Sequence, residues 1–119
     1  MSNITLGCFV IGDDPRWNAF PVDIDTSKDK TFGHLKNVIK ETKTPEFDDI
    51  ASKKLVLWKV DISPEELDKM KINNINIKDK LGGVKLPPLS KISDYFPTQP
   101  DDDRIHIIVE QPDGYIVFD

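Results

Sequence analysis

Few residues in this chain are equipped for chemistry. There is one cysteine, Cys8, and there are two histidines, His34 and His106. A cysteine nucleophile needs a neighbouring base or cation to hold it as thiolate. Cys8 sits in the apolar run Ile4 to Ile11 with no basic partner near it in sequence, so it reads as a small core residue. His34 falls on the polar face of an expected helix and reads as solvated. His106 lies inside a strand-like run, Arg104 to Glu110, and reads as structural, hydrogen-bonding across a sheet. Asp101, Asp102 and Asp103 form an acidic triplet suited to a hard cation, but they lack the spaced oxygen ligands of an EF-hand loop. They read as a solvated loop, and Asp48-Asp49 likewise. Lys80 to Lys85, KLGGVK, lacks the Gly-Lys-Ser/Thr ending of a phosphate loop. Gly82-Gly83 resembles the diglycine tail of a conjugated modifier but lies 36 residues before the end, and reads as a turn. Asn3-Ile4-Thr5 is a glycosylation triplet of the kind that arises by chance. The expectation is no catalytic residue, no cofactor, no metal and no enzyme.

Composition narrows the classes further. The chain has 119 residues, 38% hydrophobic and 31% charged, with 16 Lys+Arg against 21 Asp+Glu and a net charge of -5. That is one soluble domain's worth of sequence. An acidic chain lacks the electrostatic footprint of a nucleic-acid binder, so direct nucleic-acid binding by this domain is not expected. A lone cysteine excludes an intrachain disulfide. No apolar run approaches the roughly 18 residues of a membrane span, and the N-terminus shows no basic leader of a signal peptide.

The elements that must position these residues follow from periodicity. Ile4, Leu6, Cys8 and Val10 alternate with Thr5, Gly7, Phe9 and Ile11, which predicts a central strand. Ala19 to Ile24 predicts a second, paired as an antiparallel hairpin, with Pro21 placing it at a sheet edge or a bulge. Thr31 is positioned to cap a helix to about Lys43, with an apolar stripe of Phe32, Leu35, Val38, Ile39 and Thr42. Pro45 ends it. A loop follows in which Phe47 and Ile50 tuck under. Leu55 to Val60 predicts a third strand. Ser63-Pro64-Glu65-Glu66 is a capping-box sequence opening a short helix to about Lys71, with Leu67 and Met70 inward. Residues 71–86 fit either a short strand or an ordered loop. Leu89 to Phe96 predicts a compact turn with Ile92, Tyr95 and Phe96 inward. Arg104 to Glu110 predicts the last strong strand, and Asp113-Gly114 a turn into a short extra strand, Tyr115 to Phe118. One amphipathic helix must lay its stripe on a sheet. The fold class is therefore α+β: a β-grasp, with a mixed sheet of four or five strands packed on one main helix, plus a short second helix.

Two segments resemble a known family, the Crinkler-type effectors. Leu55, Leu57, Trp58, Lys59 and Val60 match the Leu-x-Leu-Trp-Lys-Val form of its signature. His106, Val109 and Pro112 match its closing His-Val-Leu-Val-x-x-Pro motif, with Ile107 and Ile108 as conservative variants. Ile4 to Asp25 is similar to the family's first hairpin, and Ser93-Asp94-Tyr95 is similar to the Ser-Asp-Tyr of ubiquitin. The resemblance implies a ubiquitin-like header domain over residues 1–112. Residues 113–119 are then a C-terminal tail or the start of a missing effector domain. It also implies a secreted protein found in the host cell, acting in virulence or symbiosis by delivery into host cells, by protein–protein recognition, or by both. Variable C-terminal domains carry the toxic activities in such proteins. The alternative is a generic ubiquitin-like interaction adaptor working alone, which has no reason to carry both motifs.

The expected partner is a protein, and the expected surface includes Val56 and Trp58. Leu55 and Leu57 share one strand face, so Val56 and Trp58 share the other. Two readings stand side by side. In one, Val56 and Trp58 form an exposed patch for the partner. In the other, residues 72–96 fold over this face and bury it. Self-association through an exposed edge strand is a further expectation.

Overall fold

A computed structural model of the chain describes residues 3–11, 18–25, 30–43, 51, 54–70 and 81–110. The elements are β1 (Asn3–Val10), β2 (Phe20–Asp25), α1 (Phe32–Thr42), β3 (Val56–Ile62), α2 (Pro64–Met70), β4 (Val84–Lys85), α3 (Ile92–Tyr95) and β5 (Ile105–Glu110). The expected positions of Phe47, Ile50, Ile72, Ile75, Ile77 and Tyr115 to Phe118 lie outside the described residues, as does Pro112.

The strands form one five-stranded sheet in the order β2-β1-β5-β3-β4. β1 and β2 pair as the expected antiparallel hairpin, with Gly7 opposite Pro21. β2 is an edge strand, which accommodates a proline that has no N–H to donate. β5 lies between β1 and β3, parallel to the first and antiparallel to the second. The first and last of the described strands thus become neighbours in the middle of a mixed sheet, with one main helix across it. This is the ubiquitin-like β-grasp. The ambiguous stretch before Pro87 contains the short strand β4, paired with Trp58 and Lys59 of β3.

α1 starts as its sequence predicts. Thr31 is the N-cap, and the backbone N–H of Thr31 donates to His34 Nδ1 at 3.0 Å. His34 is exposed but bonded, closing the first turn where a solvated side chain was expected. The buried ridge of α1 is Phe32, Leu35, Lys36 and Ile39. Val38 is 36% exposed and Thr42 is exposed, whereas Lys36 is only 6% exposed. The helix is rotated relative to the expected stripe, with Lys36 turned inward and Val38 outward. Ile4, Leu6, Cys8 and Val10 from β1 meet this ridge, together with Leu57 of β3 and Ile107 and Val109 of β5. The Phe32 ring packs edge-on against Tyr95 at 5.4 Å and against Phe96 at 6.5 Å.

The opposite face of the sheet is covered as well. Phe9, Val60, Ile62, Ile105 and Ile108 form a second cluster with Leu67 of α2, and Trp58, Met70 and Leu81 pack against it. The Ser63 cap that opens α2 is present: the Glu66 N–H donates to Ser63 Oγ at 3.2 Å, and the Glu66 carboxylate turns back to accept the Ser63 hydroxyl at 3.2 Å. That turn aims Leu67 back onto the sheet.

Candidate functional site

The two sequence motifs, some fifty residues apart, lie side by side at the centre of the sheet. Val56 is opposite Glu110, Leu57 opposite Val109, Trp58 opposite Ile108 and Lys59 opposite Ile107. Leu55, Leu57 and Val109 are buried in the cluster under α1. Val60 is buried on the other face. The alternation expected along this strand is therefore real.

The polar motif residues each hold a neighbouring segment. Trp58 is half-buried, and its Nε1–H donates to Glu110 Oε1 at 3.0 Å. Lys59 Nζ donates to the Tyr95 carbonyl at 2.7 Å and lies 4.9 Å from the centre of the Phe96 ring. His106 is 4% exposed. Its Nδ1 accepts the Gly7 backbone N–H at 2.8 Å, so its Nε2 carries the proton and donates to the Asp101 carbonyl at 2.7 Å. The ring bonds across the sheet to β1, as its position in a strand implies, and also ties down the loop before β5. Gly7 is indispensable to this arrangement, because a Cβ there would stand 2.2 Å from the Arg104 carbonyl oxygen. A glycine inside a strand signals such a close backbone approach. Arg104 in turn bonds to the Asp61 carboxylate and donates to the Asp61 carbonyl at 3.0 Å.

Two shallow clefts flank His106. One, of about 270 Å³, is lined by residues including Gly7, Phe20, Pro64 and Arg104. The other, of about 370 Å³, is lined by residues including Lys59, Asp61, Tyr95 and Gln99. Cys8 reaches neither; it is fully buried, and burial pushes its thiol far above the ordinary cysteine range. Among the described residues no group of three or more His, Cys, Asp or Glu side chains is placed to hold a metal ion. Among them, too, no helix is long and apolar enough to cross a membrane.

Val56 and Trp58 face away from α1, and both are half-buried. α2 and Leu81 stand on the Trp58 side, while residues 71–80 lie outside the described set. Gln99 had no signal in the sequence: it sits in a polar loop, and only its long-range bonds to Thr5 reveal its role.

Comparison with known proteins places these motifs. The family model for the Crinkler effector protein N-terminal domain matches residues 4–110. Crinkler effector protein 1 of Rhizophagus irregularis is 40% identical over 112 residues, covering 94% of this chain and 22% of that protein. The chain thus spans about a fifth of the curated relative it matches.

Proposed function

Because this chain belongs to the Crinkler effector N-terminal domain family, we propose that it is the non-catalytic header of a secreted effector. In this reading it acts in delivery into host cells and in recognition of a protein partner, through surfaces rather than bond chemistry. The observation that carries it is the pairing of the two motif segments as central strands, with Trp58, Lys59 and His106 each bonded to another part of the fold. Lys59 and His106, engaged in this way, hold the domain's shape, while Trp58 is only half-buried and keeps part of its ring at the surface. The half-buried rim at Val56 and Trp58 is the partner surface in this reading, and any toxic activity of longer relatives resides outside the domain.

The test is a fusion of the chain to an inert reporter, applied to host cells beside the reporter alone. The fusion is expected to accumulate inside the cells. A Trp58→Ala fusion that remains folded, checked by NMR of the purified chain, is expected to lose accumulation or partner binding. A fusion that stays outside the cells would remove the delivery role. Metal-dependent cleavage of DNA, RNA or protein by the purified chain would overturn the non-catalytic reading.

A further inference from the structure

The backbone groups of a strand point alternately to its two neighbours. In β1 the odd-numbered residues serve the β5 side: Phe9 is in register with Ile108, and the Ile11 N–H donates to the Val109 carbonyl at 3.0 Å. The β1–β5 register begins at Cys8 and Ile107, so the strand pairing stops short of Thr5. There a side chain takes over. The Thr5 N–H donates to Gln99 Oε1 at 2.7 Å, and Gln99 Nε2 donates to the Thr5 carbonyl at 2.9 Å. One primary amide thus satisfies both backbone groups of one residue, as a residue of an adjoining strand would. His106 does the same for the Gly7 N–H. Gln99 Nε2 also donates to the Pro100 carbonyl at 2.9 Å, and His106 to the Asp101 carbonyl, which ties the loop to its own two pins.

We propose that residues 97–103 are a strap that mimics a strand and guards the inner edge of β1, and that releasing Gln99 opens an edge on which a second copy of this chain pairs. The occupant follows from charge and symmetry. An edge strand can pair antiparallel with its own copy about a two-fold axis. Asn3 to Gly7 carries no charged side chain, so the paired segments themselves set no like charges against each other. The other two edges have their own protection. β2 carries Pro21, Asp23 and Asp25, and β4 is only two residues long; both are known ways of blunting an edge. Thr5 and Gln99 are exposed, so the guarded edge lies within reach of another molecule.

The experiment compares the wild type with Gln99→Ala and Gln99→Glu. The glutamate keeps the acceptor for the Thr5 N–H but has no donor for the Thr5 carbonyl. Amide exchange by NMR is expected to quicken about tenfold at Thr5 in Gln99→Ala, and less in Gln99→Glu, which keeps the acceptor, and to stay unchanged at Leu6 and Cys8, which face β2. Sedimentation is expected to show a concentration-dependent dimer for the variants and a monomer for the wild type. Unchanged exchange at Thr5 would overturn the strap, and faster exchange in a chain that stays monomeric would overturn the guard. In the wild type, the Gln99 side-chain amide protons are expected to exchange slowly; fast exchange there would overturn the proposal without any variant.

Discussion

Lys36 shows how far one residue can depart from its type. Its place in the buried ridge of α1 partly desolvates its ammonium group, and this desolvation, followed by the charge of Lys85, lowers its pKa from the usual 10.5. Between that lowered value and 10.5, the unfolded chain binds a proton that the folded chain does not, so stability rises with pH across the window. Below the window the charged lysine opposes folding. Lys36→Met is therefore expected to stabilise the protein at neutral pH, with a gain that shrinks as pH approaches 10.5. Urea midpoints of the two proteins across that range check this, and a gain independent of pH would contradict it. Lysine marks the polar face of a helix by default. Only its burial in the folded chain shows that its four-carbon stem has been drawn inward.

α2 is the element with the largest consequence for the surface. A seven-residue helix is too short to be stable alone, so it depends on its Ser63 cap and on Leu67, which is 2% exposed. Leu67→Ala should cost about 2–4 kcal/mol and loosen the cover beside Trp58. In a Trp17→Phe background, which leaves Trp58 as the sole tryptophan, the emission should shift to the red; an unshifted spectrum would mean that α2 does not shield the ring. The start of this helix was legible from Ser63-Pro64-Glu65-Glu66 because capping is local chemistry. Its destination was not, because seven residues do not encode which face of a sheet they will cover.

For the whole molecule, the decisive feature is that β5, the last of the described strands, lies in the middle. β5 contacts both β1 and β3, so the sheet cannot close until the C-terminal strand arrives. Truncation after Arg104 should therefore leave a chain without a folded core, seen as collapse of amide dispersion in its NMR spectrum. Retained dispersion would mean that the β1–β2 hairpin and α1 fold without their neighbour. The same placement explains why the two family motifs matter together, since each supplies one half of the central antiparallel pair.

The longer strands, α1 and the start of α2 were legible in the sequence alone, because alternation, helical spacing and capping residues act within a few positions of each other, whereas β4 was not separable from a loop nor α3 from a turn. The α+β class followed from their order, and the family resemblance from two short segments. The tertiary structure alone decided the rotation of α1 that buries Lys36 and exposes Val38, the cover on the second sheet face, the His106 bond to Gly7 and the bonds from Gln99 to Thr5. Each of these joins residues whose partners are chosen by how layers pack and where a loop crosses a strand. Gln99 and Thr5 are 94 positions apart, and no local pattern records a pairing at that distance.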